Sequence, residues 1–250
     1  MKKILSILLF TLPFTLFSQT QAQKIILKSI KVHGGKSYEN LAVSLDFRQF
    51  HLILKQSKGT FHFERSMTDS TKTTYRDVLT NEGFYREKNG VKMELSEKDI
   101  SRYKEGINSQ AYFLLLPYKL NDKAVIATYL GEGEVEGKKQ FKIKIAFQQA
   151  GGGKDHEDVF CYWINQKTYL IDYIAYANGG PRFRKATVRH IVNGITFQDY
   201  ENYEIKDKKL PTNEYDRVFM DLSRDNREGG DTVKLLSKIE HKNVVWIVEK

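Results

Sequence analysis

The chain opens with Met1-Lys2-Lys3, an apolar stretch from Ile4 to Phe17 and a polar tail, Ser18-Gln19-Thr20-Gln21-Ala22. The stretch is too short to span a bilayer as a helix, and Pro13 sits in its middle. With Ala22 as a small residue at the cleavage position and Thr20 two before it, the pattern predicts a secretory signal peptide over residues 1–22. The expectation is an exported, periplasmic protein whose chemistry proceeds without cytosolic ATP or NAD(P)H pools.

Beyond the leader the periodicity is first helical. Over residues 24–33 either Ile26, Ile30 and His33 or Leu27, Ile30 and Val32 share a face, and Gly34-Gly35 ends the element. The period then drops to two. Ala42–Phe47, Leu52–Lys55 and Thr60–Arg65 read as successive antiparallel strands, with Phe61 and Phe63 on one face of the third. Val78–Lys92 reads as a hairpin turning at Lys88-Asn89-Gly90, because Asn-Gly favours the type I′ turn. Residues 97–116 return to helical spacing, with Glu97 and Asp99 in the first turn and Pro117 beyond the end.

Strands are expected again at Ala124–Leu130 and Gln140–Gln148, with a turn at Gly131-Glu132-Gly133. In the second, Phe141, Ile143, Ile145 and Phe147 alternate with Lys142, Lys144, Ala146 and Gln148, giving one apolar and one basic face. Further strands are expected at Val159–Ile164, Tyr169–Ala177, Lys185–Val192 and Thr196–Ile205, with a tight turn at Asn193-Gly194, and one or two more over Val233–Val248. The predicted class is α+β and mostly β, a long antiparallel meander with two helices, forming a single domain over 23–250 that is least defined over 206–250. There is no internal repeat and no low-complexity linker.

Composition narrows the function classes. Cys161 is the one cysteine, so no disulfide forms within the chain and no cysteine near Ala22 offers a lipid anchor. The net charge of +9 is spread along the chain without a block of one sign. It fits a lysine-rich solvated surface with weak attraction to anionic lipid headgroups, and an exported chain with no recognition motif is not expected to bind nucleic acid. Four prolines against many aromatic and β-branched residues point to long regular strands.

Reactive groups are sparse. Asp155, His156, Glu157 and Asp158 follow Gly151-Gly152-Gly153 and could present ligands to a divalent metal, but the spacing matches no zinc signature and suits a polar hairpin tip better. No metal and no cofactor is expected. The glycines lack the Lys-Ser/Thr of a phosphate loop, there is no Gly-x-Ser-x-Gly elbow, and Cys161, between Phe160 and Tyr162, reads as a buried inert thiol. A distributed feature stands out instead: Phe61, Phe63, Phe141, Ile143, Ile145, Phe147, Trp163, Tyr173 and Phe197 all fall in alternating strands of one apparent sheet. A curved sheet would turn such a face into a hollow for an acyl chain, or into an ordinary filled core; the pattern alone leaves both open. Arg182 and Arg184, flanking Phe183, should leave their strand on one side and are candidates for an anionic headgroup.

The helix ending at Pro117 before Tyr118-Lys119-Leu120, then Thr128-Tyr129-Leu130-Gly131-Glu132, Gly137 and Phe141–Phe147, resemble the LolA/LolB-like periplasmic lipoprotein-carrier superfamily. The stretch Trp163-Ile164-Asn165-Gln166-Lys167-Thr168-Tyr169-Leu170-Ile171 looks like that superfamily's Trp, short turn, strand hairpin. His33-Gly34-Gly35, Arg182-Phe183-Arg184 and Val192–Tyr200 resemble an uncharacterised family of secreted Bacteroidetes proteins. The likeness covers most of residues 24–205. It implies an incomplete, half-barrel antiparallel sheet around helices, with a hydrophobic cavity for acyl chains and no catalytic residues. The expected function is therefore non-enzymatic binding or carriage of a lipid or an acylated protein by a monomer, with a membrane-associated partner. The rivals are a cell-envelope interaction module with a filled core and a secreted metal-dependent hydrolase using Asp155, His156 and Asp158.

Overall fold

The computed structural model describes residues 12–150, 157–219 and 232–248, with α1 side chains described from Thr20 onward. Helix α1, Leu12–His33, buries Ala22, Ile25, Ile26, Ser29, Ile30 and His33, the three-and-four spacing of one helical stripe. Leu27 and Val32 are exposed, so the face carrying Ile26, Ile30 and His33 is the inner one. Gly34 and Gly35 stop the helix at φ 152° and 54°. A Cβ on Gly34 would stand 3.0 Å from Ile195 Cγ1, so the close approach as well as the dihedral selects glycine.

The meander follows: β1 (Asn40–Phe47), β2 (Phe50–Ser57), β3 (Thr60–Thr68), β4 (Thr74–Thr80), β5 (Gly83–Lys88) and β6 (Val91–Lys92). Asn89 and Gly90, at φ 50° and 81°, make the expected turn, which joins β5 to β6; an earlier turn at Asn81-Glu82 splits the single strand expected before it. Helix α2, Glu97–Leu114, is capped by Ser96, whose Oγ accepts from Asp99 N–H at 3.2 Å, and buries Ile107, Ala111 and Leu114. It packs on β3, β4 and β5.

The remaining strands are β7 (Val125–Val135), β8 (Lys138–Phe147), β9 (Phe160–Asn165), β10 (Ile171–Tyr176), β11 (Arg182–Val192), β12 (Ile195–Ile205), β13 (Val233–Ile239) and β14 (His241–Trp246). Gly131-Glu132-Gly133 is not a turn. β7 runs through it with a bulge after Tyr129, and the reversal comes at Glu136-Gly137, φ 50° and 73°, a pair able to adopt the left-handed turn. Asn193-Gly194 turns as expected, at φ 49° and 78°.

The protein is mostly β, with two antiparallel sheets that do not close into a barrel. One runs β14-β1-β2-β3-β4-β5-β6, the other β13-β12-β11-β10-β9-β8-β7. The apolar positions expected on one sheet are therefore divided: Phe61 and Phe63 lie on the first, the other seven on the second. The division arises because the chain after α2 starts a new sheet instead of extending the edge at β6.

Two compact units are present. The first contains α1 up to Val32, Leu120–Ala186 and Glu201–Ser237; the second contains His33–Lys119, Thr187–Tyr200 and the residues from Lys238 on. In the first unit, register pairs Lys142 with Trp163 and Trp163 with Tyr173. Trp163 and Tyr173 thus share the face of Lys142, opposite Phe141, Ile143 and Ile145. On that face Cys161, Trp163, Tyr173, Ala175, Phe183, Tyr215 and Phe219 form one buried cluster, with Tyr173 stacked on Phe183 at 5.2 Å. The face read as basic is half so. Lys144 is exposed, but Lys142 is partly buried over Trp163 and its Nζ donates to both oxygens of Asp216 at 3.0 and 3.1 Å. The second unit's core gathers Tyr38, Leu41, Val43, Leu45, Leu52, Leu54, Phe63 and Leu79 with the buried stripe of α2 and with Ile195 and Phe197.

Candidate ligand groove

A groove of about 480 Å³ opens in the second unit at one end of β14, β1, β2 and β3. This volume is in the range that small ligands occupy. Its floor is a row of residues set by register. Ile247 N–H donates to Ala42 C=O at 2.8 Å, Ala42 faces Lys55, and Lys55 faces His62. Alternation puts this row on the sheet face opposite Leu41, Val43 and Leu45, the side chains committed to the core. Ala42 in mid-row creates the depression, since its methyl leaves room that the flanking long side chains do not. Phe61 and Trp246, which register places on the core side with Gln56 and Val43, also line the groove, and Asn40, Ser57 and Thr60 form a polar end.

The charges beside the groove are ordered across three strands. His62 Nε2 hydrogen-bonds Glu64, and Glu64 accepts from Arg76 at 2.6 and 2.7 Å. Arg76 in turn donates to Glu87 at 3.0 Å. Burial works to raise the Glu64 pKa, but hydrogen bonds from Arg76 and His62 outweigh it and hold the carboxyl below its ordinary value. The groove thus mixes apolar side chains, Ala42, Phe61, Trp246 and Ile247, with the ammonium of Lys55 and polar neighbours.

The structure brings one of the predicted cavity residues, Phe61, to this groove. Phe63 lies tilted beside Phe61 at 4.9 Å but belongs to the core, as does Phe197. Phe141, Ile143, Ile145 and Phe147 share one face of β8, with Ile143 and Ile145 fully buried, while Trp163 and Tyr173 are buried in the opposite cluster. Arg182 and Arg184 leave β11 on one face, as expected, with Phe183 buried on the other. Arg184 Nη2 donates to Tyr176 Oη at 2.7 Å, and the Arg182 guanidinium donates to the carbonyls of Pro181 and Gly179 at 3.1 and 3.2 Å. Both arginines belong to the first unit and the groove to the second.

The second unit also holds two buried polar clusters. Asp77 accepts from Arg65 at 2.6 and 3.1 Å and from Arg86 at 3.0 Å. The Arg65 and Arg86 guanidiniums lie over Phe50 and Tyr103, 4.7 and 3.8 Å from the ring centres. Asp199 binds His190 and His241. Arg65, Asp77 and Arg86 are inward positions of three consecutive strands, 12 and 9 residues apart, whereas Asp199 and His241 are 42 residues apart and share no local pattern. The residues 151–156, with Asp155 and His156 of the metal-ligand reading, lie outside the described residues. Among the described residues no group of three His, Cys, Asp or Glu side chains is placed to hold a metal ion. No helix among them is long and apolar enough to cross a membrane.

Comparison with solved structures finds a DUF1329 family protein from Desulfovibrio piger, with a TM-score of 0.51 at 9% identity, covering 92% of this chain and 94% of that one. The two share a fold. A LolA superfamily protein from Nitrosomonas europaea is also similar, with a TM-score of 0.45 at 9% identity, over 75% of this chain and 87% of that one. No curated protein matches the sequence. The family match spans residues 2–223, and the chain therefore belongs to DUF6503, a family of unknown function.

Proposed function

We propose that this protein is an exported, non-enzymatic lipid-binding protein, freed of a signal peptide near Ala22. In this reading it acts as a single carrier-like domain that seats the acyl chain of a lipid or acylated protein in the groove of β14, β1, β2 and β3. The observation that carries this reading is the groove itself. Ala42, Ile247 and the half-buried Phe61 and Trp246 supply apolar surface, and Lys55 supplies a cation for an anionic head. Burial contributes about 0.8 kcal/mol per methylene, so one long chain is held without covalent chemistry. The likeness to the lipoprotein carriers read from the sequence supports the same substrate class.

The deciding experiment pairs native mass spectrometry of protein purified from cells with uptake of a fluorescent fatty acid, in wild type and in Ala42→Trp. Bound lipid and uptake in wild type, both lost in Ala42→Trp at near-normal melting temperature, are expected. A clean apo mass with no uptake overturns the proposal. That result would favour the second reading, an envelope interaction module, which the complete burial of Phe197, Trp163 and Tyr173 within packed clusters supports.

A further inference from the structure

Helix α1 presents Lys24, Leu27, Lys28 and Lys31 to solvent on one stripe, the i, i+3, i+4, i+7 spacing of a single helical face. Leu27 and Val32 remain 48% and 45% exposed among the lysines. The sequence has no acidic residue before Glu39, so nothing within the helix neutralises this face.

A second observation comes from the β9–β10 turn of the same unit. Tyr169 is held at φ 59°, a left-handed conformation that glycine or asparagine adopts at little cost and a bulky side chain does not. The ring held by this turn lies tilted against Phe141 at 5.7 Å and meets Lys28, whose Nζ lies 5.0 Å from the ring centre. Lys28 also donates to Tyr169 Oη at 3.4 Å. Lys167 is exposed in the same turn. The lysine stripe and the aromatic turn are therefore one continuous surface.

We infer that this surface docks the protein on an anionic phospholipid bilayer. Lysines of one sign along a helix match a sheet of headgroup phosphates, a tyrosine suits headgroup depth, and Leu27 can reach the edge of the acyl layer. An acidic protein would satisfy the lysines but gives no role to Leu27 standing among them. The surface lies in a different unit from the groove, and docking does not depend on the groove binding lipid.

The test is co-sedimentation of the protein, as exported from cells, with vesicles of phosphatidylcholine alone or with about one-third phosphatidylglycerol. Binding is expected only to the anionic vesicles and should be lost at about 500 mM salt, where exposed charges are screened. Lys24→Gln/Lys28→Gln/Lys31→Gln should weaken it roughly a hundredfold. Tyr169→Asn, which suits the turn, should weaken it several-fold. Lys138→Gln/Lys139→Gln/Lys144→Gln removes the same charge from exposed positions on β8 and should leave it within about twofold. The helix variant should keep fatty-acid uptake, so loss of docking and loss of groove binding are read separately. Equal binding to both vesicles, binding to neither, or equal loss in the two triple variants overturns the inference.

Discussion

Asp199 Oδ1 accepts two hydrogen bonds from His241, from the backbone N–H at 3.0 Å and from ring Nδ1 at 2.8 Å. Its other oxygen accepts from His190 Nε2 at 3.0 Å. One buried carboxylate thereby fixes the start of β14, the strand that carries Trp246 to the groove. Burial works to raise the Asp199 pKa, but the bonds from His241 and His190 prevail and hold it below the ordinary carboxylate value.

Asp199→Asn is expected to cost about 2–4 kcal/mol at neutral pH, because the imidazole donors lose a charged acceptor and the site stays buried. The sign of the pH dependence follows from the lowered pKa. The carboxylate's contribution is present above its unfolded value, about 4, and is lost as pH falls through the lower folded value. Urea midpoints between about pH 3 and 7 should show the gap between wild type and Asp199→Asn narrowing below about pH 4. A gap that stays constant to the lowest pH would show that the carboxylate does not act through its charge.

Asp77 balances two buried guanidiniums, and both its oxygens are engaged. Asp77→Ala leaves Arg65 and Arg86 buried without a counter-charge, and a loss of about 3–5 kcal/mol is expected. Replacing all three with apolar residues, Arg65→Met, Asp77→Leu and Arg86→Met, should recover most of it. Chemical denaturation of the single and triple variants measures both effects, and a triple variant no better than the single would show that the ion cluster itself stabilises this core.

Cys161 is buried, and burial pushes its thiol pKa well above the usual range. The native protein should resist iodoacetamide at neutral pH and react stoichiometrically once denatured. Mass spectrometry before and after denaturation separates these states. Rapid labelling of the folded protein would mean that the β9 face opens.

Local pattern carried the strands, the two long helices and the Asn-Gly turns, because each depends on a few adjacent residues. The alternation of Phe141, Ile143, Ile145 and Phe147 was legible for that reason. That Trp163 and Tyr173 take the opposite face was not. Their side is fixed by the register of β8 against β9, across a connection whose sequence does not set it. Gly131-Glu132-Gly133 looked like a turn because glycine marks bulges and turns alike. The groove was invisible apart from Phe61, since Ala42 and Trp246 come from opposite ends of the chain and meet only when β14 pairs with β1.

That pairing yields the sharpest test of the groove, because the protein has two tryptophans in contrasting places. Trp163 is fully buried in the first unit, whereas Trp246 is half-buried and lines the groove. An acyl chain entering the groove changes the polarity around Trp246 and leaves Trp163 untouched. Titration with a saturated fatty acid should therefore shift tryptophan emission to shorter wavelength in wild type. The shift should persist in Trp246-only protein made by Trp163→Phe and vanish in Trp246→Phe, provided circular dichroism shows each variant folded. Phe keeps most of the aromatic surface at 246, so the second variant should still take up lipid by native mass spectrometry, with affinity reduced by about 1 kcal/mol. A ligand-dependent shift that follows Trp163 instead would place the acyl chain in the first unit, near the β8–β9 face.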